Sequence, residues 1–277
     1  VSLNIRRILQ QDCNQKNKMS DTLKVSLVQL ELVWGNVDEN LSKISNLLLP
    51  LKNQTDLIVL PEMFSSGFMM EDKSMIAPKA KMTLDWMKNQ AGELNSVLLG
   101  SIIVEENGEY FNRLYCVDGG KIICLYDKRH LFRMGEEHHH FSSGSERAVF
   151  NLGKWRICPL VCYDLRFPVW SRNQNDYDIL LYVANWPEAR REVWNTLLKA
   201  RAIENQSFVV GVNRIGSDGL GLSYAGDSAL FNAKGQLVGK CADYTEEIVS
   251  LQLNLDELNE FRSKFPVLLD ADSFQIS

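Results

Sequence analysis

Long hydrophobic runs are missing from this 277-residue chain. Nothing approaches the roughly 18 consecutive apolar residues of a membrane-spanning helix, and no charged start leads into a signal-like apolar region. The expectation is a cytoplasmic protein with no membrane partner. An extended Lys/Arg run is also missing and the formal net charge is -5, which leaves no electrostatic footprint for nucleic acid. A small-molecule partner fits that balance better. Six cysteines, at 13, 116, 124, 158, 162 and 241, include no C-x-x-C pair and mostly lie in apolar segments, so free thiols are expected rather than a disulfide framework. No low-complexity linker or internal repeat divides the chain.

What is present is a globular composition, 45% hydrophobic, sufficient for a substantial core. Residues 1–20, "VSLNIRRILQQDCNQKNKMS", are polar and basic, and are expected to form a disordered N-terminal extension. Met19 stands just before "SDTLKVSLVQL", so the first eighteen residues need not belong to the fold. Residues 21–277 are expected to make a single domain.

From Lys24 onward, apolar runs alternate with amphipathic stretches. Strands are expected at 24–30, 56–60, 97–104, 110–117, 121–126, 155–161, 178–184, 207–213, 227–232, 236–240 and 247–253. Helices are expected at 36–51, 80–94, 168–175, 190–205 and 255–263, with Asn36 and Asp38 as early caps. Gly119-Gly120 signals a hairpin, as does Ala233-Lys234-Gly235 less strongly. Many strands with fewer helices predict an α/β (α+β) chain, its sheets covered by helices and its sites at strand ends.

Three apolar strands end in groups able to do chemistry. In "LIVLPEMFSSGF", Glu62 follows the run Leu57–Leu60 directly after Pro61, where partial desolvation raises a carboxylate's pKa and makes it a usable base. In "IICLYDKRHLF", alternation puts Tyr126 and Lys128 on one face and Asp127 and Arg129 on the other, so Lys128 is a candidate buried cation. In "CPLVCYDLRFP", Cys158 lies inside the run and Cys162 ends it, bordering a turn whose backbone amides are available to a ligand. Taken singly, the first two segments read as charged loops. Cys116, Cys124 and Cys158 read as small core hydrophobes. Together, Glu62, Lys128 and Cys162 supply base, cation and nucleophile, with the Tyr163 N–H available to an oxyanion.

"LPEMFSSGF", "YDKRHLF" and "VCYDLRFP", at spacings of 66 and 34 residues between the three groups, resemble the nitrilase, or carbon-nitrogen hydrolase, superfamily over 23–265. "YDKRHLFRMGEEHHHFSSG" and "LYVANWPEARREVW" are similar to its omega-amidase branch, which hydrolyses the terminal amide of 2-oxo acid amides. The resemblance implies a four-layer αββα sandwich that commonly pairs into a homodimer or higher homo-oligomer. It also implies Glu62 as general base, Lys128 as stabiliser of the oxyanion and Cys162 as nucleophile, with no metal or organic cofactor. A second glutamate after the lysine is implied too; "GEEHHH" offers Glu136 and Glu137, and spacing to Gly144 favours Glu137.

Other assignments stay open at this point. Trp186 divides evenly between packing and lining the pocket. A 2-oxo acid carboxylate calls for an arginine, and Arg133, Arg166 and Arg190 are all near the motifs. The run "EEHHH" raises a metal site, though without H-E-x-x-H spacing, and His130 or His140 as base raises a Cys-His hydrolase. Nitrile, N-carbamoyl and other amide hydrolysis share the same three residues, and a non-catalytic module on this fold is the remaining class. Phe167, Val169 and Trp170 put apolar bulk on a short helix that is a candidate dimer face.

Overall fold

The computed structural model describes residues 20–275. The expected extension therefore lies outside the described residues, apart from Ser20, whose hydroxyl accepts from the Thr22 N–H at 3.1 Å. Fourteen strands and four helices of ten or more residues follow. In chain order the strands are β1 (Thr22–Gln29), β2 (Leu57–Val59), β3 (Val97–Glu106), β4 (Glu109–Asp118), β5 (Lys121–Asp127), β6 (Phe150–Leu152) and β7 (Trp155–Val161). They continue with β8 (Ile179–Ala184), β9 (Phe208–Asn213), β10 (Ile215–Ser217), β11 (Ser223–Ala225), β12 (Ala229–Phe231), β13 (Leu237–Lys240) and β14 (Glu247–Asn254). The helices are α1 (Val37–Leu48), α2 (Ala80–Leu94), α3 (Arg191–Asn205) and α4 (Leu255–Lys264).

The strands form two six-stranded sheets, ordered β14-β1-β2-β3-β4-β5 and β13-β12-β9-β8-β7-β6, with β10 and β11 as a separate hairpin. Alternation divides the first sheet between two cores. Val25, Leu27, Leu57, Val59, Leu99, Leu114 and Cys116 face the second sheet, in one cluster with Ile157, Leu160, Leu181, Val210 and the α3 residues Trp194, Leu198 and Ala202. Val28, Ile58, Leu98 and Val117 face outward, against Val37, Ile44 and Leu48 of α1 and Met87 and Ala91 of α2. Helix, sheet, sheet and helix are thus stacked as an αββα sandwich. On the α3 side the approach is close: a Cβ at Gly211 would come within 2.5 Å of the Leu198 side chain.

Within each sheet β1-β2-β3 and β7-β8-β9 run parallel, so their carboxyl ends open on the same side, where α/β sheets place their sites. The expected hairpin is present: Gly119 and Gly120, at φ 48° and 90°, turn β4 into β5 with the positive φ at both centres that a tight turn needs.

Three local expectations are corrected. The helix expected over 36–51 is capped by the Asn36 side chain but gives way at Leu48 to a 3-10 turn, Leu49–Leu51, because Pro50 cannot donate to the ladder. The helix expected over 168–175 stops at Ser171: Arg172 turns extended, and the Asn173 side-chain Oδ1 accepts from the Asp176 and Tyr177 N–H groups, fixing a turn instead. On that short helix Pro168 and Val169 are open, the latter at 56%, while Trp170 is 6% exposed and faces inward, so the apolar face is smaller than the sequence suggests. Strands β6, β10 and β11, three residues each, are too short to give a periodic signal.

Candidate active site

Glu62, Lys128 and Cys162 leave β2, β5 and β7 at the open end of the two sheets, and the structure brings them together. The Lys128 Nζ donates to Glu62 Oε1 at 2.9 Å and to both oxygens of Glu137 at 3.0 and 2.9 Å. Exposure is 0% at Glu62 and Glu137 and 1% at Lys128, so the ammonium is held between two carboxylates away from water. Glu137 also accepts from the Phe132 N–H at 2.6 Å. The neighbouring Glu136 points to solvent from a left-handed backbone at φ 58°.

The main chain places these groups tightly. Lys128 donates its N–H to the Asn112 carbonyl at 3.0 Å and accepts from the Gly144 N–H at 2.9 Å, closing the loop that carries Glu137. Only glycine fits there, since a Cβ at Gly144 would lie 2.1 Å from the Asp127 carbonyl oxygen. Asp127, on the other face as alternation requires, is paired with Arg113 at 2.6 Å. After Glu62 the chain turns at once, with Met63 at φ 45° and its N–H donated to Ser101 Oγ at 2.9 Å. Phe64 then packs against Trp86 on the helix side, whereas the Phe68 ring lies 5.2 Å from the Lys128 ammonium.

Cys162 opens the 3-10 turn Cys162–Arg166 with φ 45°, a left-handed conformation costing a non-glycine residue about 1–3 kcal/mol. That conformation ends the regular alternation of β7 and leaves Cys162 at the edge of the same core that holds Cys158. Its thiol is 9% exposed and lies 4.0 Å from the Asn185 carbonyl oxygen. As the second residue of a helical turn, Tyr163 has an N–H with no acceptor inside that turn. Trp186 is buried, its indole N–H donated to the Arg190 carbonyl at 2.8 Å and its ring beneath the Arg166 guanidinium at 5.4 Å.

Electrostatics set the resting protonation. Burial, reinforced by the Glu62 carboxylate and only partly opposed by Lys128, pushes the Cys162 thiol well above the ordinary range. The thiol is therefore neutral at rest and needs a base at the moment of attack. For Lys128, burial works against the charge, but Glu137 and then Glu62 outweigh it and keep the ammonium protonated. Burial raises the Glu137 carboxyl, against the pull of Lys128. Two carboxylates around one ammonium leave one buried negative charge in excess. Moving the thiol proton onto Glu62 shifts that charge to the sulfur and, as the sulfur bonds to an electrophile, onward to an oxygen beside Lys128, so the arrangement suits a base that acts as the bond forms.

Sequence reasoning missed two groups on Glu62 and the turn. Asn112, in mid-β4, donates to Glu62 Oε1 at 2.7 Å. Asp164 accepts from the Val161 N–H at 3.0 Å and the Tyr126 hydroxyl at 2.7 Å. Asn185 donates its backbone N–H to Glu62 Oε2 at 2.8 Å. The histidines take other roles. His130 is bonded to Asp164 and His140 lies 3.2 Å from the Lys73 Nζ, while the His138 and His139 rings meet at 3.9 Å with a 39° tilt. Among the described residues, no three His, Cys, Asp or Glu side chains converge on a metal-sized centre.

This fold and arrangement match a known class. Residues 24–263 match the carbon-nitrogen hydrolase family, and the chain belongs to it. It is 44% identical to omega-amidase YafV of Escherichia coli (strain K12) over 254 residues, covering 92% of this chain and 98% of that one. It is 33% identical to the 2-oxoglutaramate amidase of Bacillus subtilis (strain 168) over 251 residues, 89% and 96% of the two chains. Among solved structures, XC1258 of Xanthomonas campestris, a CN-hydrolase superfamily protein with an arsenic adduct in its active site, superposes with a TM-score of 0.90 at 42% identity. That match covers 94% of this chain and all of the other.

Proposed function

We propose that the protein is an omega-amidase, a thiol amidohydrolase that converts the terminal amide of a small 2-oxo acid amide into a carboxylate and ammonia. The observation that carries this reading is the buried Lys128 held between Glu62 and Glu137 beside the neutral thiol of Cys162. Identity to omega-amidases along nearly the whole chain supports the substrate class.

In this reading Cys162 Sγ attacks the amide carbon while Glu62 takes the thiol proton. The carbonyl oxygen becomes an oxyanion that accepts hydrogen bonds from the Lys128 ammonium and the Tyr163 N–H. Glu62 returns the proton to the amide nitrogen, the C–N bond breaks, and ammonia leaves a thioester. Water then gives a proton to Glu62 and its oxygen to the carbonyl carbon; collapse releases the acid and the sulfur regains its proton from Glu62. Glu137 keeps Lys128 charged and in place throughout.

A 2-oxo acid amide brings a carboxylate to the site. The Arg190 guanidinium lies over Phe132 at 5.2 Å and that of Arg166 over Trp186. Neither forms an ion pair among the described residues, unlike Arg113, Arg156, Arg191 and Arg262. Arg190, half-buried beside the aromatic wall of Phe132 and Trp186, is our choice for the carboxylate partner. The reading includes a cytoplasmic setting, suited to free thiols, and self-association around Val169, which sedimentation analysis tests.

The test is ammonia release across 2-oxoglutaramate, 2-oxosuccinamate, glutamine, a nitrile and an N-carbamoyl amino acid. The proposal requires the two 2-oxo acid amides to be the best substrates by kcat/KM. Preference for the nitrile or the carbamoyl compound refutes it.

A further inference from the structure

We propose that Asp164 is a positioning residue: it bolts the turn carrying Cys162 to the strand end carrying Lys128 and so fixes nucleophile and cation relative to each other. The inference rests on the reading of Cys162 as nucleophile. Asp164 is fully buried, two residues beyond Cys162. Its Oδ2 accepts from the Val161 N–H at 3.0 Å and the Tyr126 hydroxyl at 2.7 Å. Its Oδ1 accepts from the His130 N–H at 3.0 Å and pairs with the His130 Nδ1 at 2.7 Å. A carboxylate offers about four acceptor directions, and here each has a donor.

The origin of those donors gives the arrangement its meaning. Tyr126 and His130 stand two residues either side of Lys128, on the first sheet's last strand and the loop after it. Val161 is the last residue of β7, in the second sheet, immediately before Cys162. One side chain thus ties the flanks of the cation to the flanks of the nucleophile across the two sheets. The Tyr126 hydroxyl is itself held by the Trp170 indole N–H at 3.0 Å and the Arg129 N–H at 3.2 Å. A left-handed Cys162 persists only where its surroundings over-determine it, and the Asp164 bonds to the preceding N–H and to the opposite strand supply that constraint.

Asp164→Asn keeps the shape but replaces one acceptor oxygen with an NH2 that cannot accept, leaving donors unpaired on one side. The test on the full chain has two readouts. One is the rate at which iodoacetamide alkylates Cys162, followed by peptide mass spectrometry: a C–S bond forms, iodide leaves with its electron pair, and the thiol proton passes to Glu62. The other is kcat and KM for ammonia release. At a temperature where melting curves show the variant folded, both the alkylation rate and kcat should fall about 10²-fold with KM within about threefold, as for a misplacement near 1 Å. A folded Asp164→Asn with wild-type rates overturns the proposal, whatever its melting temperature.

Should that variant fail to fold, Tyr126→Phe removes one donor and keeps the carboxylate, and should slow alkylation roughly tenfold, the worth of one hydrogen bond to a charged group. Wild-type alkylation in folded Tyr126→Phe likewise overturns it. Wild-type protein that labels Cys162 no faster than Cys124 and Cys158 defeats the nucleophile reading, and this proposal with it.

Discussion

Replacing Glu137 with glutamine removes one charge from the Lys128 cradle while preserving its shape. Glu137 accepts twice from the ammonium and once from the Phe132 N–H. A glutamine has one acceptor oxygen for those three donations, and its NH2 is turned either toward the ammonium or toward the Phe132 N–H. At least one charged hydrogen bond goes, a loss of about 1.5–3 kcal/mol. The full penalty of about 3–5 kcal/mol for stranding a buried ion is not reached, because Lys128 keeps Glu62 at 2.9 Å. On the proposed mechanism the lysine is then drawn onto Glu62 alone, away from the oxyanion position. Loss of one oxyanion donor costs about 10²–10³ in kcat, and the same range is expected here. Urea unfolding and steady-state ammonia release measure the two quantities on the same preparation, with Glu136→Gln as the control that leaves both unchanged. Folded Glu137→Gln turning over at the wild-type rate, or Glu136→Gln losing that rate, would refute the reasoning.

Other expectations follow from the same geometry. Cys162→Ala should abolish turnover and the acyl adduct that rapid denaturation followed by mass spectrometry finds on the Cys162 peptide of wild type; retained amidase activity sinks the thioester route. Burial pushes the Cys124 and Cys158 thiols from 9.0 up to about 12, so their contribution to stability is present below pH 9 and is lost as pH climbs toward 12. At about 1.4 kcal/mol per pH unit, each thiol costs up to about 4 kcal/mol over that window. Cys124→Ala should flatten the fall in urea-unfolding free energy between pH 9 and 11, and an unchanged slope contradicts the assignment. Arg190→Gln should raise KM for 2-oxoglutaramate about 10- to 100-fold, the loss of one charged hydrogen bond, with kcat nearly constant. An unchanged KM moves the carboxylate partner elsewhere, with Arg166 the next to test.

Much of the frame was legible because it is periodic. Past a bulge at Ile123 the run Cys124–Lys128 alternates, and from that alternation follows the opposite facing of Asp127 and Lys128. Glu62, Lys128 and Cys162 stood out for a related reason: each is a reactive group at the point where an apolar strand stops, and parallel strands bring such points to one rim. Asn112 and Asp164 were not legible, since each is an ordinary polar residue with partners 34 to 50 positions away that are known only once the sheets are docked. The short helix was overextended because Val169 and Trp170 satisfy a helical pattern that the Asn173 side chain then interrupts. Spacing to Gly144 already favoured Glu137 over Glu136, and the left-handed backbone at Glu136 gives the physical reason, one carboxylate being exposed and the other buried.

The first sheet is closed by its most distant parts. Strand β14 lies against β1 in antiparallel register, with Ser26 opposite Ser250 and their hydroxyls 2.7 Å apart across 224 positions. During synthesis β1 emerges early and waits for its neighbour until the ribosome has nearly finished this stretch, its edge meanwhile unpaired. Contacts of such long range are slow to form because loop-closure entropy must be met before they reward the chain. Glu62, Lys128 and Cys162, drawn from three strands in two sheets, can share one rim only when the sheets are docked. The fold thereby delays a reactive centre until late in folding, and makes the nascent chain, rather than the finished enzyme, the state most exposed to aggregation.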